Sequence, residues 1–219
     1  MAVPFASSFF YFLIFNETKS IQVLYALTKL FIIVWPIFAA YCIIKSGIPL
    51  SKLLSIKKKS FFAGIAYGLT IAALITGLMQ TAFGEIVLQY SNKITHKTEI
   101  FGFAGYYWVF AIFLSMIHSF MEEFYWRWFV FGNLAKIMGL VQAQLSSSAA
   151  FSLHHFIISI YFFGAWLGSI FGAIVFLGGI VWCRLFRKDG SLISVWVSHL
   201  LIDIGIMSVG HKIIFGTFI

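Results

Sequence analysis

Charge is what this sequence has least of. Only 10% of its 219 residues are Asp, Glu, Lys or Arg, and 61% are apolar, against about 25% and about 45–50% in soluble proteins. A soluble fold of this length could not hide so much apolar surface, so the solvent must be lipid. Cysteine is almost missing. Cys42 and Cys183 both lie in or beside apolar runs, which excludes a disulfide framework and a CxxC metal pair. No basic n-region accompanies the opening apolar run, Val3 to Phe15, which is also too short to cross a bilayer. It therefore reads as an interfacial or re-entrant helix rather than a cleavable signal peptide. No inverted repeat of the transporter kind is visible, so residues 1–219 are expected to form one integral membrane domain. The net charge of +8 sits in a few clusters, a topology signal rather than a nucleic-acid one.

The apolar runs set the fold class. At about 1.5 Å per residue a spanning helix needs roughly 20 apolar residues. Residues 21–44, 61–83, 106–138, 142–163, 165–184 and 191–210 meet that length. The expectation is an all-α bundle of about six to eight spans around a buried polar cavity. Pro36 should kink the first span. Gly64 with Gly68, and Gly164 with Gly168 and Gly172, repeat every fourth residue and should let helices approach closely. The loop carrying Lys45, Lys52, Lys57, Lys58 and Lys59 and the loop carrying Arg184, Arg187 and Lys188 should share the cytoplasmic side. The loop from about Glu85 to Phe103 should lie opposite. Twelve Lys against three Arg, with 27 Phe, resemble the usage of AT-rich bacterial genomes, and a bacterial inner membrane is the expected location.

In hydrocarbon the informative residues are the ionisable ones. They are Lys29, His118, Glu122, Glu123, Arg127, His154, His155, His199 and Asp203. Each costs about 2.5–3.5 kcal/mol at a helix centre, so unpaired they would outweigh a typical folding stability. They must face one another. Spacing agrees: Glu123 and Arg127, His118 and Glu122, and His199 and Asp203 are each four apart on one helical face. Depth agrees too, since Glu123, His155 and His199 fall about 20, 24 and 14 Å along their helices from the cytoplasmic ends. Lys29 stands apart and is expected to snorkel or face the bundle without a reaction role.

Three motifs emerge in order on three spans: Glu122-Glu123-Phe-Tyr-Trp-Arg127 is EExxxR, Phe151-Ser-Leu-His-His155 is FxxxH, and His199-Leu-Leu-Ile-Asp203 is HxxxN with Asp in the Asn position. Together they resemble the CAAX-protease and bacteriocin-processing (CPBP, or Abi) family of intramembrane glutamate endopeptidases, over roughly residues 105–210. The resemblance implies proteolysis by activated water without a required metal or cofactor. By resemblance Glu122 is the base and His155 shares its water, while Glu123 and Arg127 support them. His199 and Asp203 would stabilise the oxyanion. Asp203 departs from the pattern, because an ionised Asp only accepts where Asn donates. It must be protonated, or act by orienting His199. His118 and His154 are expected as cavity neighbours.

The implied substrate is a membrane-embedded or lipidated peptide entering from the bilayer. A prenyl-cysteine tail, a peptide leader and a C-terminal sorting helix are not distinguished. Two other classes remain open. Glu122, Glu123, His155, His199 and Asp203 would furnish an oxygen-and-imidazole metal set, although neither HExxH nor ExxH occurs. A non-catalytic transporter or partner-binding scaffold could use the same cavity.

Overall fold

The computed structural model describes residues 2–15, 18–100, 102 and 104–218, and the regular structure among them is helical. Helix α1 (Ala2–Phe9) widens into a π-helical turn, Phe10–Ile14. Helix α2 (Thr18–Phe38) contains Pro36, and its ladder widens over Ala39–Ile43, where the Ile44 N–H reaches Ala39 O at 2.8 Å. The short α3 (Leu50–Leu53) precedes α4 (Lys58–Leu78). The segment expected as a loop beyond Glu85 is largely helical, as α5 (Ala82–Leu88) and α6 (Ser91–Ile100). Next comes a run of short helical pieces, α7 (Tyr107–Ile112), α8 (Ser119–Glu123) and α9 (Gly132–Ile137), joined by π-helical stretches at Phe113–His118 and Phe124–Phe131. Helices α10 (Leu140–Asp189) and α11 (Leu192–Phe215) complete the order.

Among the described residues, four helices are long and apolar enough to cross a membrane: Lys19–Ile43, Lys58–Leu78, Leu140–Asp189 and Leu192–Phe215. Their outward faces carry Leu27, Leu30, Leu69, Leu74, Ile174 and Leu177, all exposed. Such faces suit contact with lipid.

The 50 residues of α10 are two helices rather than one. Gly164 takes φ 74°, ψ 171°, outside the helical region, and the chain folds back on itself there. A Cβ at Gly168 would meet the backbone of Ile160, one at Gly172 the ring of Phe156, and one at Gly179 the side chain of Ser148 at 3.1 Å. Gln144 Nε2 also donates to Ile180 O across the arms at 2.8 Å. Gly168 and Gly172 are thus the close-contact ridge of the second arm, as the spacing suggested. Gly164 is not part of that ridge: it is the hinge, where a left-handed φ suits glycine alone.

Helices α4 and α11 pack almost backbone to backbone. Gly64 lies against the Ser194 carbonyl, Gly68 against Ser198 and Leu201, and Gly205 of α11 against Ala72. The two basic loops meet at one end of the bundle, where Ser191 Oγ donates to Ser55 O at 2.5 Å and Gly190 abuts the Lys52 side chain. At the other end the Gly164 hinge lies beside Tyr90, and Lys212 Nζ donates to Met79 O at 3.3 Å. Between the ends the core is aromatic: Tyr125, Trp126, Phe131, Phe151 and Trp182 pack with Leu192, Val195 and Ile202.

Candidate active site

Glu122 and Glu123 sit on a single α-helical turn, α8, with π-helical winding on both sides. The wider winding redirects backbone carbonyls, and neighbours use them. Trp196 Nε1 of α11 donates to Met116 O at 2.8 Å, and Ser147 Oγ of α10 donates to Trp126 O at 3.2 Å. Short π segments inside helices often mark functional positions. Here they seat the acidic pair between α10 and α11.

Glu122 is 5% exposed and lies among three imidazoles. His118 Nε2 is 3.3 Å and His154 Nε2 3.5 Å from its Oε1, while His199 Nε2 is 3.9 Å from its Oε2. Glu123, fully buried, is shared between two partners. Its Oε2 is 3.0 Å from Arg127 Nε and its Oε1 is 2.7 Å from His199 Nδ1. The Arg127 guanidinium, also fully buried, stacks 4.5 Å from the Phe151 ring centroid and 5.3 Å from that of Trp182. Such cation–π contact keeps a desolvated guanidinium in place where few oxygens are at hand. Trp182 also lies over the His199 ring at 4.3 Å and donates its indole N–H to Ser198 Oγ at 3.1 Å.

The three i,i+4 pairs expected from spacing are all present: Glu123 with Arg127, His118 with Glu122, and His199 with Asp203. Two contacts go beyond what spacing suggested. Asp203 was a candidate to hold the tautomer of His199, but Nδ1 is taken by Glu123, from another helix, and Asp203 Oδ1 stands 3.6 Å from Nε2. His155 was expected beside Glu122 with His154 as its neighbour. His154 also touches Glu122, and His155, with a donor atom within 4.8 Å of both and its ring 4.0 Å from that of His154, has Nδ1 on its own helix at Phe151 O, 3.2 Å away. A neutral His155 holding that carbonyl through Nδ1–H leaves Nε2 as an acceptor.

A cavity of about 20 Å³ adjoins the cluster, lined by Pro4, Ser8, Thr28, Lys29, Ile32, Glu122, Trp126 and His154. That is room for one water molecule with polar partners around it. Lys29, the one charged residue in the apolar run 21–44, faces this cavity instead of snorkelling, with Nζ 3.5 Å from His118 Nε2. Its isolation in an apolar run was the one sequence signal for an inward role. Donor atoms of Glu122, His154 and His155 all lie within 4.8 Å of one another, close enough to hold a metal ion.

The sequence model of one protein family, type II CAAX prenyl endopeptidase Rce1-like, matches residues 104–205, a little under half of the chain. Residues 104–205 are similar to the Rce1-like family. The match bears out the CAAX-protease resemblance carried by the three motifs. No curated protein and no solved structure matches the chain. The Rce1-like segment contains every ionisable residue of the cluster except Lys29. The four apolar helices and the similarity to a CAAX prenyl endopeptidase family point to an integral membrane protein.

Proposed function

We propose that this protein is a glutamate-type intramembrane endopeptidase, cleaving a membrane-embedded or lipidated peptide with water activated by Glu122. The observation that carries the reading is Glu122 itself: a buried carboxylate among three imidazoles, beside a cavity the size of one water. The hinge at Gly164 and the helical run at 104–137 support six crossings, with the two basic loops on the cytoplasmic side of a bacterial inner membrane. Residues 1–219 act as one domain whose catalytic core is residues 105–210.

In this reading water gives a proton to the Glu122 carboxylate as its oxygen adds to the scissile carbonyl carbon. His155 Nε2, free of the Phe151 carbonyl, accepts from the same water and aims it. His199 and Asp203 donate to the oxyanion as it forms. Glu123 orients His199 through Nδ1, and Arg127 anchors Glu123. Because Glu123 already orients His199, Asp203 is left for direct donation, which requires its protonated form. Collapse of the tetrahedral intermediate breaks the C–N bond, and the proton on Glu122 passes to the leaving nitrogen. The products are a carboxylic acid and an amine.

A metalloprotease has one observation in its favour, the convergent donors of Glu122, His154 and His155. Against it, the Lys29 ammonium lines the same cavity as Glu122 and His154 and would repel a divalent cation. The test is cleavage of membrane-anchored peptides by purified protein in detergent, with and without chelator, for wild type and Glu122→Gln. Chelator-resistant turnover that falls about 10²–10⁴-fold in the variant supports the glutamate reading. Full loss on chelation, restored by metal, moves the assignment to a metalloprotease; unchanged cleavage by Glu122→Gln removes Glu122 as base.

A further inference from the structure

Lys29 is the one charged group at the cavity that the proposed reaction leaves unused. It stands on α2, outside the Rce1-like segment, and is held there by packing: the preceding Thr28 donates to Ser7 Oγ of α1 at 2.7 Å, and Ser8 and Pro4 close the cavity beside it. Its ammonium lies 3.5 Å from His118 Nε2, and the same nitrogen lies 3.3 Å from Glu122 Oε1. One ring nitrogen therefore faces a donor and an acceptor. With a proton it can donate to Glu122 but not accept from Lys29; without one the reverse holds. Nδ1 of the same ring is buried and has no hydrogen-bond partner among the described residues, so Nε2 carries the ring's whole interaction with the two charges.

Charge balance points the same way. Glu123 has Arg127 and His199, and the guanidinium is fixed between aromatic rings. Around Glu122 the close groups are imidazoles from three helices, and Lys29 is the amine sharing its cavity. An ionised carboxylate removed from water requires a partner charge or several strong donors.

We propose that Lys29 is the counter-ion of Glu122, coupled to it through His118, and so a positioning residue of the site. The pairing stands on geometry alone; its effect on turnover rests on Glu122 being the base.

The deciding experiment is a double-mutant cycle in detergent on the full chain, with Lys29→Met, Glu122→Gln and the double variant, read by thermal melting. If the two charges pair, Lys29→Met lowers the melting temperature and adding Glu122→Gln recovers most of the loss. Should Lys29→Met not fold, a folded double variant supports the pairing. Additive losses, or a double variant that also fails to fold, overturn it. This arm decides the pairing even if no tested peptide is cleaved. In the activity arm Lys29→Met lowers kcat about 10-fold or more with KM little changed, and Lys29→Arg stays within about three-fold of wild type. A coupled melting cycle with unchanged kcat in Lys29→Met overturns the positioning role.

Discussion

Replacing Gly68 by Ala tests how closely the site depends on a contact that contains none of its chemistry. The added Cβ would lie 2.9 Å from both Ser198 O and Leu201 Cβ, where ordinary Cβ contact begins near 3.4 Å. Both atoms belong to α11, and the first is backbone, so rotamer changes cannot clear it. Helix α11 must move by about 0.5 Å, and overpacking of this kind costs about 1–3 kcal/mol. For a chain of this size that corresponds to a melting temperature lower by roughly 2–10 °C. Ser198 immediately precedes His199, whose Nδ1 is 2.7 Å from Glu123. Misplacement of a catalytic group by 1 Å can reduce rate about 10²-fold, so about half that displacement predicts a loss near 10-fold in kcat/KM. The assays are melting in detergent and cleavage of a membrane-anchored peptide. Gly77→Ala is the control, because a Cβ there meets nothing within 4 Å and stability should hold or rise by about 0.5–1 kcal/mol. Gly68→Ala with unchanged melting and turnover would show that α11 is not held by this contact.

Three other outcomes follow from the same structure. Arg127→Met strands Glu123 in a dry site and should destabilise by about 3–5 kcal/mol; Glu123→Gln added to it should recover part of that loss, and simple additivity in a melting cycle would contradict the pairing. Gly164→Ala places a side chain at φ 74° and should lower stability by about 1–2 kcal/mol, whereas Gly178→Ala, inside the second arm and clear of neighbours to 4.0 Å, should not. Asp203→Asn should keep turnover within about 10-fold of wild type, because an amide can also donate, while Asp203→Ala should lose about 10²–10³-fold; an active Ala variant beside an inactive Asn variant would remove Asp203 from the oxyanion site.

What could be read before the structure was whatever a helix decides locally. Residues four apart on one turn are neighbours wherever the helix goes, so His118 with Glu122 and Glu123 with Arg127 were legible from spacing. Partners from different helices were not. That Glu123 rather than Asp203 takes His199 Nδ1 depends on how α11 docks against α8, and no local spacing carries that. Lys29 meeting His118 is hidden for the same reason. Gly164 shares the four-residue spacing of Gly168 and Gly172, yet one is a hinge and the others a contact ridge. Spacing reports residue size and not φ. The outer segment looked like a loop because it lacks long apolar runs, but α5 and α6 are held by the bundle, with Val87 and Lys97 buried.

The hairpin at Gly164 also sets the order in which the protein can become competent. A ribosome delivers Glu122 and Glu123 first, then the arm with His154 and His155, and only afterwards α11 with His199 and Asp203. Until α11 docks along Gly64 and Gly68, Glu123 lacks its imidazole and the oxyanion groups are elsewhere. A nascent chain halted before α11 therefore carries the proposed base without the machinery to use it. If the proposed chemistry holds, assembly order alone keeps the site incomplete until the last helix is in place.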